Sequence, residues 1–326
     1  MSSFNSKILN KLKKLNNGGN LPPLLLCVSG GIDSMVMLDV FKKLNKSVEI
    51  FVSHINYNIH EFSKNSEDLV KNYCENYNIE YQINSVRIEK KENFEATARE
   101  IRYNIFNEIL VEKKLKFICT AHHHDDQIET LLMKHFQNAP ITSFRGILER
   151  DKNKWRPFLD IPKSEIIGYA NSEKISWVED NTNKNLKYLR NQFRLNKIPK
   201  IKIENQTLIE EIFLLKNKAD KLFELANTFK QEFFKTKNII KYKNPEYYEI
   251  KLDPLNSLNK NIRKIIFQSI LNDFEFNLQS MTNLHWTTFW QFLEKSETGK
   301  EFKFSENVKA LYNRNNVILF DEFFFC

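Results

Sequence analysis

Six consecutive residues, Ser29-Gly30-Gly31-Ile32-Asp33-Ser34, combine two glycines, two hydroxyls and a carboxylate in a chain with only 7 glycines. Glycine lets backbone N–H groups crowd an anion, a helix start turns its positive end toward it, and serine hydroxyls donate to phosphate oxygens. The types and their order suit a phosphate cradle. It is not the Walker form, because the Gly-Lys-Ser/Thr ending is missing and there is no lysine for the terminal phosphates. Asp33 stands there instead. A carboxylate repels bare phosphate and makes sense mainly with a divalent metal between them. A second cluster, His122-His123-His124-Asp125-Asp126-Gln127-Ile128-Glu129-Thr130, gathers imidazoles and carboxylates. At helical spacing Asp125 and Glu129 share a face, as do His122 and Asp126, pairings able to coordinate Mg²⁺ or embrace an ammonium group. The histidines also invite zinc, whereas magnesium carried by a triphosphate prefers oxygen. The plain alternative for both clusters is a strand-to-helix turn with Gly at positive φ and Asp or Ser as caps.

The elements that must position these groups are legible. Leu24 to Val28 is an unbroken apolar run, a strand buried on both faces, and Met37, Val40, Phe41 and Leu44 then repeat at helical spacing. Val48–Ile55 predicts a second strand ending near His54, Asn56 and Tyr57, with His54 read as a satisfied edge histidine; Ser66 is expected to cap the next helix. Ile79, Tyr81 and Ile83 alternate as a third strand. A helix from about Asn93 to Lys113 carries Phe94, Ala98, Ile101, Ile105 and Ile109 as its buried stripe. Glu95, Arg99 and Arg102 lie beside that stripe and suit either an anion or surface ion pairs. A fourth strand, Leu115–Ala121, runs into the acidic cluster, with a helix after it. The pattern predicts an α/β fold, a doubly wound parallel sheet with both clusters at its carboxyl edge, where ligands bind.

The chain of 326 residues allows two domains. Its net charge of +8 suits a nucleic-acid partner or simply a lysine-rich surface. Cys27, Cys74, Cys119 and Cys326 are far apart and form no CxxC, which speaks against a zinc knuckle, an iron–sulfur site or a disulfide framework. A reducing cytoplasm is expected, with no membrane partner, because no apolar run approaches a span.

The cradle resembles the SGGxDS signature of the N-type ATP pyrophosphatases, the PP-loop family, which split ATP between the α and β phosphates. With Asn93–Arg99 through Arg102-Tyr103, Thr120–Thr130, Arg156-Pro157-Phe158-Leu159, and Asp180–Asn183 through Arg190-Asn191 and Arg194, the first 200 or so residues are similar to the tRNA(Ile)-lysidine synthases. That resemblance implies ATP as co-substrate, Mg²⁺, L-lysine, and a tRNA(Ile) with a CAU anticodon. Ser29, Gly30, Gly31, Ile32, Asp33 and Ser34 would bind ATP, with Asp33 and Asp126 near magnesium. Asp33, Asp125, Asp126, Glu129 and Arg99 would serve catalysis. Glu95, Arg102 and His122 would line the nucleotide and lysine pocket, and Arg190 and Arg194 would touch nucleotide or tRNA. One departure stands out: the family's Arg-Gly-x-Gly loop is replaced by Gln137-Asn138-Ala139-Pro140.

Pro199 and the basic Lys197–Lys202 segment suggest a boundary, giving a catalytic domain over 1–205 and a smaller, mainly helical α+β domain over 206–326. The latter is expected to hold a long amphipathic helix from about Thr207, hairpins turning at Asn244-Pro245 and Asn313-Arg314-Asn315, and helices over Asn261–Phe274 and Thr282–Lys295. Lys241, Tyr242, Lys243, Tyr247 and Tyr248 mix charge with aromatic rings usable on RNA, though aromatics at strand spacing are also core. The resemblance makes this region the tRNA-gripping one. A tRNA thiolase and a catalytically idle RNA-binding protein are the rival readings.

Overall fold

The computed structural model describes residues 3–15, 21–44, 48–58, 61–87, 94–179, 193–274 and 281–322. Its first compact unit comprises 1–138 with 146–212, and its second 139–145 with 213–326. The break falls inside the first turns of the helix Gln206–Lys235, which itself begins at the expected 205/206 boundary.

The first unit is built on strands β1 (Leu24–Cys27), β2 (Ile50–Asn56), β3 (Tyr81–Ser85), β4 (Phe117–Cys119), β5 (Arg150–Asp151) and β6 (Lys154–Trp155), in spatial order β3-β2-β1-β4-β6-β5. All pairings are parallel except β5 with β6. Period-two alternation sends Leu24 and Leu26 to one face and Leu25 to the other. On the first face they join helices α1 (Ser3–Leu15), α2 (Ile32–Leu44), α3 (Glu61–Asn76) and, later in the chain, α6 (Lys163–Ser172). On the second, Leu25 meets Phe51, Ile118, and Phe106 and Ile109 of α4 (Phe94–Glu112). Helices on both faces are why β1 reads as an unbroken apolar run. Within α4 the buried side chains include Ala98, Phe106 and Ile109, whereas Ile101 and Ile105 are only half-buried. β5 and β6 carried no sequence signal, because two-residue strands are too short to show a period.

One buried carboxylate ties the helical layer together. Asp39 of α2, 5% exposed, accepts hydrogen bonds from the Tyr73 hydroxyl at 2.8 Å and the Tyr169 hydroxyl at 2.9 Å, and Lys43 Nζ lies 2.8 Å away. Burial alone would raise its pKa; the bonds from Lys43, Tyr73 and Tyr169 outweigh that and hold the carboxyl below the usual range. A depressed native pKa gives stability that is full above the unfolded value and fades as pH falls through the native one. Asp39→Ala is expected to cost about 3 kcal/mol in denaturant melts at pH 7, the penalty of breaking a buried pair. Asp39→Asn should show a smaller stability loss than wild type between neutral pH and about pH 3. Equal pH slopes would show that the charge of Asp39 is unimportant.

In the second unit β7 (Ile239–Lys243), β8 (Glu246–Lys251), β9 (Glu301–Lys303), β10 (Val308–Asn313) and β11 (Asn316–Asp321) form an antiparallel sheet in the order β7-β8-β11-β10-β9. Both hairpins turn where expected, and helices Lys260–Leu271 and Asn283–Lys295 share its core through Phe267, Phe289 and Trp286. Tyr248 is core, 1% exposed, whereas Tyr242 and Tyr247 stack across the β7–β8 hairpin at 4.2 Å and are only half-buried.

Candidate active site

The cradle leaves β1 and enters α2. Ser29 N–H donates to Ser34 Oγ at 3.1 Å, and Ser34 Oγ–H donates to the Gly31 carbonyl at 2.9 Å. These bonds brace the turn from inside, while the opening amides of α2 have no intrahelical acceptor and face where an anion would sit. Gly30 has φ +87°, and a Cβ built there would lie 2.8 Å from Ser66 Cβ. Ser66 is therefore not a cap: α3 starts at Glu61, and Ser66 packs from inside it against the cradle. Behind the turn, buried His54 donates through Nδ1 to the Val28 carbonyl at 2.8 Å, a structural histidine whose pKa burial pushes down.

The second cluster sits beside the cradle because β4 pairs with β1. Its helix α5 (His124–Phe136) starts with His123 as N-cap, so His122 precedes the helix and does not share a helical face with Asp126. His122 Nδ1 lies 2.8 Å from Thr120 Oγ1. Asp126, 8% exposed, accepts from the His123 amide at 3.0 Å. His123 Nε2 lies 3.5 Å from Asp126 Oδ2 and 3.7 Å from Asp33 Oδ1, so one imidazole bridges the two carboxylates. Asp125 accepts from the Lys163 amide at 2.9 Å at the start of α6. Glu129, 1% exposed, instead shares Arg194 with Asp126; the guanidinium donates to each carboxylate at 3.0–3.1 Å. Burial would raise the Asp126 carboxyl, but His123, its amide, His122 and Arg194 together hold it below the usual range.

Two basic groups at this site were not read from the sequence in these positions. Lys163 Nζ bonds to Asp33 Oδ1, so an ammonium does reach the cradle, 130 residues along the chain from the carboxylate it pairs with. Arg194, expected toward nucleotide or tRNA, is engaged by the acidic cluster. A lysine among many in a basic chain carries no local signal; only its place just after Pro162, at a helix start, sets it apart.

The arginines of α4 lie on a neighbouring stripe. Arg102 Nε donates to the Tyr57 hydroxyl at 2.9 Å, just past the carboxyl end of β2, and Arg99 is exposed with its guanidinium over the Tyr103 ring at 5.0 Å. Arg190, and the Asp180–Asn183 and Asn191 positions, lie outside the described residues, as does the Glu95 side chain. After α5, Asn138 takes φ +49°, so the left-handed turn is made without a glycine; asparagine is one of the few other residues that tolerates it.

A mainly parallel sheet with a glycine cradle at the end of its central strand, and an acidic cluster at the end of the next, defines an α/β nucleotide-binding protein of the PP-loop class. Residues 4–201 match the PP-loop domain family. The chain is 31% identical to the tRNA(Ile)-lysidine synthase of Clostridium tetani over 97% of its own length and 69% of the relative's. It is 32% identical to the Bifunctional protein TilS/HprT of Listeria monocytogenes over 67% of itself and 35% of that protein. The chain belongs to the tRNA(Ile)-lysidine synthase family of PP-loop proteins. It spans about a third of the bifunctional relative's length. A solved U34-tRNA thiolase, NcsA from Methanococcus maripaludis, shares the fold, with a TM-score of 0.54 at 20% identity, covering 68% of this chain and 77% of that one.

Proposed function

We propose that the protein joins L-lysine to C2 of the cytidine at the first anticodon position of a tRNA(Ile) with a CAU anticodon, at the expense of ATP. The observation that carries this reading is the meeting of Asp33 and Asp126 at one imidazole, beside a cradle of helix-start amides. In the first step the cytidine O2 attacks the α-phosphorus and pyrophosphate leaves, giving an adenylated base. In the second the ε-amine of lysine, having lost a proton, attacks C2; the C2–O2 bond breaks and O2 departs with AMP. The chain's part is mostly positioning and charge. Residues Ser29–Ser34 hold the phosphates, while Arg99 and Arg102 serve the nucleotide. Asp125, Glu129 and Glu95, with His122 at the rim, furnish the pocket for lysine's ammonium. Arg194 orients Asp126 and Glu129, Arg190 serves nucleotide or tRNA, and the second unit, with the half-buried Tyr242 and Tyr247 pair, grips the RNA.

Asp33 and Asp126 would hold Mg²⁺, which when bound neutralises charge on the departing pyrophosphate. Among the described residues no group of three or more His, Cys, Asp or Glu converges as a ready-made metal cage. That donor set fits a magnesium taking one or two carboxylates and completing its shell from phosphates and water, and suits zinc less well. Sulfur transfer finds less support. Burial pushes up the thiols of Cys27 and Cys119, and that of Cys74 to about 12, leaving little thiolate at neutral pH. Among the described residues no helix is long and apolar enough to cross a membrane.

Labelled lysine, ATP, Mg²⁺ and a tRNA with a CAU anticodon test the proposal together. Lysine-dependent transfer of label to the RNA, with pyrophosphate released in step, is expected. Intact tRNA that stays unlabelled would overturn it.

A further inference from the structure

Lys163 has no part in the scheme above, yet it is a firmly anchored cation at the cradle. Its ammonium bonds to Asp33, and its side chain is 30% exposed. Its backbone is fixed from several directions. The Lys163 amide donates to Asp125 at 2.9 Å, Pro162 sets the start of α6, and the His124 amide donates to the Ile161 carbonyl at 3.0 Å. Further along α6, Ile166 and Ala170 are fully buried and the Tyr169 hydroxyl donates to Asp39 of α2. A surface ion pair has none of this scaffolding. Here α2, α5 and α6 together determine where the ammonium sits.

We infer that Lys163 supplies the ammonium for the β- and γ-phosphates of a nucleotide held by Ser29–Ser34, with Asp33 as the partner that positions it. The cradle segment brings amides and hydroxyls but no positive side chain of its own, and Arg194 is committed to Asp126 and Glu129. A lysine suits the place. Its ammonium has three donors on a flexible stem, so it can keep one on Asp33 and turn the others to phosphate oxygens. The same charge then stays with pyrophosphate as it leaves. This inference rests on the nucleotide half of the proposed function and is independent of lysine and tRNA.

The test is titration calorimetry of the full chain with Mg²⁺ and, separately, ATP, inorganic pyrophosphate and AMP. Lys163→Met should weaken ATP and pyrophosphate by about tenfold or more, the value of one charge-assisted bond, and AMP by less than about twofold. Lys163→Arg should recover part of the loss. A Lys163→Met protein that binds pyrophosphate as wild type does would overturn the inference and leave the lysidine reading standing. A wild-type protein that binds neither ATP nor pyrophosphate would overturn both. Should the variant fail to fold, acetylation footprinting of the wild-type chain decides. Saturating pyrophosphate should slow modification of Lys163 several-fold more than AMP does, and equal protection by the two would refute the assignment.

Discussion

Asp33→Asn is expected to slow pyrophosphate release about a hundredfold or more, the usual scale for losing one charge-stabilising group, while tRNA affinity stays within about twofold. Asp33 lies in the first turn of α2, bonded to Lys163 and 3.7 Å from the imidazole that also meets Asp126. The asparagine keeps the shape and can still accept from Lys163, so the fold is retained. What disappears is the negative charge, and with it the proposed sharing of a divalent ion with Asp126 and the firm hold on the ammonium. RNA affinity, in contrast, comes chiefly from phosphate contacts that Asp33 does not make. Pyrophosphate release and filter binding, measured side by side, separate the two. An equal fall in both would make Asp33 a structural residue.

Arg194→Ala should have the second large effect, on stability and turnover alike. Its guanidinium reaches Asp126 and Glu129 together, and the Glu129 side chain is 2% exposed. Truncation leaves two buried carboxylates facing each other without their shared cation. The expected cost is about 3 kcal/mol in denaturant melts, in the range found when one partner of a buried pair is removed. Lysine transfer should fall with it, because the carboxylates proposed to hold magnesium and the ammonium group would lose their orientation. Arg194→Lys should restore stability better than activity: a point charge relieves repulsion but cannot bridge both carboxylates with planar geometry. If Arg194→Ala melts like wild type and loses only tRNA affinity, the residue contacts RNA and the pair with Glu129 is incidental.

After α5 the chain departs from the loop that the resemblance implies. Gln137-Asn138-Ala139-Pro140 lacks both family glycines, yet the chain still turns left-handed at Asn138. Asparagine is one of the few residues besides glycine that tolerates that region. At Gly30 no such substitution is open. Positive φ coincides there with Ser66 pressing on the position a Cβ would fill.

Much of this protein is written in short-range pattern. The unbroken apolar run of β1, the glycine turn after it, the 3.6-residue stripes of α2 and α5 and the hairpin turns of the second unit each depend on a few adjacent residues. The class of fold and the two clusters at the sheet edge follow from them without coordinates. Which side chains in those clusters face one another was decided elsewhere. Asp125 accepts from the amide at the start of α6; Asp126 and Glu129 meet Arg194, 68 and 65 residues away; Asp33 meets Lys163 across 130. These pairings arise only when β4 docks beside β1 and α6 packs on α2. A charged side chain has no period to announce its partner, and its energy depends on a burial that exists only once the layers have closed.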